Sequence, residues 1–230
     1  MAEEKRRSDS ILDRANRGWY EMMHQEGLDL NPAYQPDPAD FHPERDLACI
    51  ADLGVVEDSK DKILVCGCGG GDDTWLLTEK LSCRNVWGVD WSQPAVTYFN
   101  TFFRDGKRMN GEEVPVRTTG KAVRADVSEL PFDDMSFDYV LALDITEHLH
   151  PATYLFFLAN CYRILIFGGR IAVLPGMTKR PEHVNLISLL DVAKHMMNIG
   201  FHIVSGSLEG QPWIIGEKKP SSVYIEREEN

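Results

Sequence analysis

From Lys62 onward, short apolar runs of strand type alternate with longer segments in which apolar residues recur at helical spacing. Strands are expected near 62–66, 85–89, 121–124, 137–143 and 169–174, with helices near 73–82, 93–104, 151–165 and 187–199. Two further strands near 201–207 and 212–217, separated by Glu209-Gly210-Gln211, suit a closing antiparallel hairpin. Strands that alternate with helices imply parallel strands joined by crossovers. The expected fold class is therefore α/β: a doubly wound, seven-stranded, mostly parallel sheet. Residues 105–120 carry mixed charge and three glycines and read as a surface insertion. Before residue 60 the pattern is polar and irregular, with Pro32, Pro36, Pro38 and Pro43 punctuating helices near 9–25 and 44–53. The chain thus divides into an N-terminal helical cap or lid (1–60), a main domain (61–218) and a C-terminal tail (219–230).

Composition narrows the class. At 230 residues the chain can bury the core of one ordinary domain without disulfides or metal. No apolar run reaches the roughly 18 residues of a membrane span, and Met1-Ala2-Glu3-Glu4-Lys5-Arg6-Arg7 lacks the apolar stretch of a secretory signal. A cytoplasmic location is expected. Five cysteines, an odd number, read as free thiols in a reducing compartment. Cys66 and Cys68 have no second Cys/His pair at ligand spacing to make a metal site with them. The formal net charge of −12 argues against phosphate-backbone affinity, so no nucleic-acid partner is expected.

The segment Ile63-Leu64-Val65-Cys66-Gly67-Cys68-Gly69-Gly70-Gly71-Asp72-Asp73-Thr74 runs from an apolar strand through glycines into a helix start. Open parallel sheets bind ligands beyond the carboxyl ends of their strands, and glycine there lets backbone approach a ligand closely. Asp72, Asp73 or Thr74 can cap the following helix. The dinucleotide fingerprint needs glycine at its first, third and sixth positions, but the sixth from Gly67 is Asp72, whose charge opposes a pyrophosphate. A nucleoside cofactor without phosphate, such as S-adenosyl-L-methionine, tolerates these carboxylates. One strand later, Asp90 stands about 20 residues on, where a carboxylate accepts hydrogen bonds from ribose hydroxyls. Its simpler role is to cap the helix starting near Ser92. Trp91 either packs beside an adenosine or belongs to the core.

Seven motifs follow in order: Gly67-x-Gly69-x-Gly71, Gly88-Val89-Asp90, Ala125-Asp126-Val127, Leu130-Pro131-Phe132, Phe137-Asp138-Tyr139-Val140, Glu147-His148-Leu149, and Arg163-Ile164-Leu165 with Gly168-Gly169. Across roughly residues 60 to 217 the chain resembles the class I S-adenosylmethionine-dependent methyltransferases, of the small-molecule type found in quinone, glycan and secondary-metabolite pathways. The resemblance implies that the loop Gly67, Cys68, Gly69 and Gly71 contacts the methionine moiety, that Asp90 holds the ribose, and that Asp126 lies near the adenine amino group. Val127 and Leu143 would complete the pocket with backbone. One position departs from the pattern: the family usually has an acid just before the loop, where this chain has Val65. Asp72, Asp144 or the N-terminal cap must then supply polar partners for the methionine end.

For a methyl acceptor the residues of interest lie just past the fourth strand, in Leu143-Asp144-Ile145-Thr146-Glu147-His148-Leu149-His150. If this stretch is helical, Asp144, Glu147 and His148 share a face at i, i+3 and i+4. Three readings stand: a polar helix start with no chemistry, a general-base His148 oriented by a carboxylate, or a divalent-metal site. His183, in Pro181-Glu182-His183-Val184-Asn185 beyond the fifth strand, is a second acceptor-side candidate and equally a surface histidine. In the cap, Trp19, Tyr20, Met22, Met23, His24 and Tyr34 would suit an apolar or planar acceptor and exclude water. The expected activity is methyl transfer to a small molecule at oxygen, with nitrogen as runner-up and S-adenosyl-L-homocysteine as product. A nicotinamide-dependent oxidoreductase and a non-catalytic methyltransferase-like partner protein are the alternatives. The sequence is compatible with a monomer or a homodimer.

Overall fold

The computed structural model describes residues 42–176, 179–180, 183–206 and 210–220. The expected helix over 9–25, the cap side chains from Trp19 to Tyr34, Pro181, Glu182, Glu209 and the end of the tail lie outside these residues. Helix α1 (Pro43–Leu53) opens with proline, whose missing N–H is no loss in a first turn, and stops at Gly54 in the left-handed region (φ 101°). Its Cys49, Ile50 and Leu53 are buried.

Seven strands follow: β1 (Ile63–Cys66), β2 (Val86–Asp90), β3 (Ala122–Arg124), β4 (Phe137–Leu143), β5 (Leu165–Leu174), β6 (Phe201–Ser205) and β7 (Ile214–Lys218). They form one sheet in the order β3-β2-β1-β4-β5-β7-β6. The first five strands pair in parallel, and β7 runs antiparallel to both β5 and β6. The helices are α2 (Asp72–Trp75, continued by a π-helical turn over Leu76–Lys80), α3 (Gln93–Phe99, continued likewise over Asn100–Arg104), α4 (Pro151–Ile164) and α5 (Leu189–Ile199). Two 3₁₀ turns, Val127–Glu129 and Thr146–His148, follow β3 and β4.

Alternation along β1 explains the two layers. Ile63 and Val65 pack with α1, α2 and α3, whereas Leu64 and Cys66 pack with α4 and α5. Because both faces are covered, the central strands read as continuous apolar runs. The expected doubly wound sheet and its C-terminal antiparallel pair are therefore present. Strand β5 departs from expectation by starting at Leu165 instead of 169. The pairing passes from Phe137↔Leu165 to Tyr139↔Arg170, so a bulge absorbs the intervening residues, Gly168 (φ 81°) among them. The 105–120 segment carries an isolated bridge between Lys107 and Glu113. All five cysteines are buried and free. Among the described residues no helix is long and apolar enough to cross a membrane.

Strand order reverses between β1 and β4, each of which neighbours the other while its connection leads to opposite edges. That switch point opens a crevice at the carboxyl ends of these strands, and the candidate residues gather there.

Candidate active site

Beyond β1, the Gly67 and Cys68 N–H groups donate to the Val89 carbonyl (2.8 and 3.1 Å), folding the loop over the end of β2. Gly67 (φ 69°) and Gly71 (φ 91°) adopt left-handed conformations that side chains disfavour. Space excludes a side chain as well: a Cβ at Gly67 would lie 2.9 Å from Ile145 Cδ1, and one at Gly71 would lie 2.5 Å from Phe103 Cε2. Gly71 itself is the N-cap of α2, without a side-chain hydrogen bond. Asp72 and Asp73 therefore sit inside the first turn, where a carboxylate is favoured by the helix dipole, rather than capping it. The Cys68 side chain is turned inward against Gly88, so Cys68 can meet a ligand through its backbone alone.

Asp90 ends β2 almost fully buried, and both carboxylate oxygens accept backbone hydrogen bonds. Oδ2 takes the Gly69 N–H (2.8 Å) and Oδ1 the Ser92 N–H (2.7 Å). The Ser92 hydroxyl in turn caps α3 through Ala95 N–H. Asp90 thus braces the glycine loop and the next helix at once, and each oxygen retains a second lone pair for a ligand hydroxyl. Trp91 lies at the rim, with the Arg124 guanidinium over its ring at 5.4 Å. Asp126 Oδ1 accepts from Ser128 N–H (2.9 Å) and Oγ (2.8 Å), holding the turn that begins at the buried Val127. Leu143 closes β4 opposite Leu174.

Val65, at the position that departs from the acidic pattern, faces the core beside α1. Acids reach this region from elsewhere. Arg45 of α1 donates to Asp46 (2.7 Å) and, across 99 positions, to Asp144 (2.6 Å). Desolvation pushes the Asp73 carboxyl well above the usual range, and the charges of Asp46, Asp72 and Asp144 push it further, with Arg45 opposing. Burial likewise raises Asp46 despite its bond to Arg45. This carboxylate group, arranged around one guanidinium, favours a cation. The sequence points to Asp73 only as a helix cap and to neither Arg45 nor Asp46, because the contact that joins α1 to the loop is long-range.

Asp144 does not share a helical face with Glu147 and His148. It sits in the left-handed region (φ 48°), and only Thr146–His148 turns, as a 3₁₀ segment. Instead, Glu147 and His148 converge with His183, and candidate ligand atoms from the three all lie within 4.8 Å of one another. The Val184 and Asn185 N–H groups donate to the Glu147 carbonyl (2.8 and 3.0 Å), pinning the second segment to the first. The His148 and His183 rings meet edge to face with centroids 4.8 Å apart. His148 Nε2 is 3.8 Å from Glu147 Oε1. Burial raises the Glu147 carboxyl from the ordinary 4.5 to about 7, against the opposing Gly176 N–H hydrogen bond. A Cβ at Gly176 would overlap this carboxylate, so the Pro175-Gly176 bend is required here, and it too escaped the sequence reading.

The shift in Glu147 has a measurable consequence. Between about pH 4.5 and about 7 the folded chain holds a proton that the unfolded chain releases, so this residue's contribution to stability is lost as pH rises through that window. Glu147→Gln removes the charge and keeps an oxygen for Gly176. With divalent cations chelated, thermal melts of the variant should match wild type near about pH 4 and exceed it near about pH 8 by up to about 3 kcal/mol. Equal stabilities at both pH values would show that the carboxylate is not desolvated as described.

Residues 64–173 match a family model described as a methyltransferase domain. The sheet order and the glycine loop agree with this match, and together they support a class I S-adenosylmethionine-dependent methyltransferase. It is 30% identical over 181 residues to the phthiotriol/phenolphthiotriol dimycocerosates methyltransferase of Mycobacterium tuberculosis, an alignment covering 70% of this chain and 60% of that protein. The chain therefore spans about 60% of the length of the curated relatives that it matches first. Among solved structures it is similar to the Burkholderia thailandensis 1,6-didemethyltoxoflavin-N1-methyltransferase bound to its substrate and S-adenosylhomocysteine (TM-score 0.62, 19% identity, 90% of this chain and 89% of that one). It is also similar to the Haemonchus contortus phosphoethanolamine N-methyltransferase 2 bound to S-adenosyl-L-methionine (TM-score 0.59, 18% identity, 86% of this chain and 46% of that one). At these identities the structures share a fold with this chain.

Proposed function

We propose that this chain transfers the methyl group of S-adenosyl-L-methionine to a hydroxyl of a small-molecule acceptor and releases S-adenosyl-L-homocysteine. The observation that carries the reading is Asp90, fixed between Gly69 and Ser92 at the end of β2 beside an open glycine backbone. The residues fit the cofactor. The loop glycines carry no side chain to stand between their backbone and a ligand, and the acidic neighbours that would repel a pyrophosphate suit a sulfonium and an ammonium.

The backbone of Gly67, Cys68, Gly69 and Gly71 would hold the methionine portion, Asp90 the ribose hydroxyls, and Asp126 the adenine amino group between Val127, Leu143 and Trp91. Asp73 and Asp46 take the place of the acid absent at Val65 and hold the methionine ammonium. When bound, the cofactor supplies an activated methyl group on sulfur. The chain supplies alignment, worth on the order of 7–11 kcal/mol in a near-attack geometry, and a base. With Nε2 on the Glu147 side, His148 takes the acceptor's hydroxyl proton at Nδ1, and Glu147 and His183 orient the ring. Within the N-terminal segment assigned as the lid, α1 brings Arg45 and Asp46 to the site. The Mycobacterium relative is named for a triol, a hydroxyl-bearing acceptor, which agrees with transfer to oxygen.

The test is an assay of S-adenosylhomocysteine formation with parallel sets of phenols, alcohols and amines. Product should form with hydroxyl compounds. Product with amines alone would replace oxygen by nitrogen as the atom methylated.

A further inference from the structure

We propose that Glu147, His148 and His183 bind one divalent first-row cation, with coordination positions left for the acceptor. The proposal rests on the acceptor site assigned above. Its first support is the donor set: two imidazoles and one carboxylate suit Mn²⁺, Fe²⁺, Co²⁺, Ni²⁺ and Zn²⁺, and three protein ligands leave open positions for substrate.

The second support is an unsatisfied oxygen. Glu147 is 1% exposed, and its Oε2 has no hydrogen-bond partner among the described residues. Burying a carboxylate oxygen without a partner is costly. Arg45, the nearby cation that could answer it, is committed to Asp46 and Asp144. A bound cation would satisfy this oxygen.

The third support is the scaffold. Backbone bonds from Val184 and Asn185 to the Glu147 carbonyl hold the two ligand segments together. The Gly176 N–H orients the carboxylate as an outer partner does in metal sites. Metal–ligand bonds of about 2.1 Å place neighbouring ligand atoms about 3 to 4 Å apart. One ligand atom from each of the three residues already lies within 4.8 Å of the others, a separation that small side-chain rotations bring to that spacing.

A cation here lowers the pKa of the acceptor hydroxyl. The hydroxyl proton then passes to water, the oxygen forms its bond to the methyl carbon, and the carbon–sulfur bond breaks with its electron pair staying on sulfur. In this loaded state His148 is a ligand rather than the base.

The experiment titrates tag-free, chelator-treated wild-type protein with Co²⁺, followed by calorimetry and visible absorption. One Co²⁺ should bind per chain with a Kd at or below about 10 μM. Glu147→Gln and His183→Ala should each weaken binding by at least about tenfold while keeping the wild-type circular dichroism spectrum. His202→Ala, an exposed histidine on β6, should bind as wild type does. Absence of Co²⁺ binding to wild type at about 100 μM, or equal binding by the two ligand variants, overturns the proposal. Should chelated protein turn over at full rate and still lose activity through His148→Ala, the cation falls and the base reading stands.

Discussion

Asp90→Ala is expected to weaken S-adenosylhomocysteine binding at least about 100-fold, equivalent to about 2.8 kcal/mol. Two losses combine. The ribose loses its carboxylate partner, and the N–H groups of Gly69 and Ser92 lose acceptors at 2.8 and 2.7 Å. Hydrogen bonds to a charged group contribute about 1.5–3 kcal/mol each, so the melting temperature should also fall by several degrees. Asp90→Asn separates the two effects: one oxygen can still brace the loop or the helix, so the melt should recover further than the affinity. Calorimetric titration beside thermal melts checks both. Wild-type affinity in Asp90→Ala would remove the ribose role.

His148→Ala should lower turnover by about 10²–10⁴-fold at saturating S-adenosylmethionine, the range for losing a general base. Affinity for S-adenosylhomocysteine should stay within about twofold, because the cofactor contacts are assigned to the glycine loop, Asp90 and Asp126 and not to His148. His148→Gln, which keeps polar bulk without a basic nitrogen, should be as slow as the alanine variant. Full turnover in either variant with the true acceptor would end the catalytic role of His148. The two variants thus divide the crevice: one disables binding and the other disables chemistry.

The sheet was legible because its strands are buried on both faces and its glycines mark the loops. The run Phe137–Leu143 has little choice but a central strand, and the hairpin character of β6 and β7 follows from their spacing. The start of β5 was misplaced because Gly168-Gly169 looks like a turn in a sequence, whereas here it forms a bulge inside a strand. The site was legible where function depends on local order: Gly67 to Gly71 and Asp90 lie where the strand-loop pattern puts them.

It was less so where chain segments meet. A left-handed backbone at Asp144, a residue with a Cβ, is invisible to a helical-spacing argument, and it directs that carboxylate to Arg45 instead of to Glu147. His183 joins the cluster through backbone bonds to Glu147 that no side-chain pattern encodes. Asp46 and Asp73, proposed to stand in for the acid absent at Val65, approach one another in a way that depends on how α1 packs against the sheet.

A crystal structure with S-adenosylhomocysteine tests the assignment of this crevice most directly. The ribose hydroxyls should lie about 2.6–3.2 Å from the Asp90 carboxylate, with the amino acid end over Gly67 to Gly71. Density for the nucleoside elsewhere, or an Asp90 carboxylate out of reach of the sugar, would contradict the account.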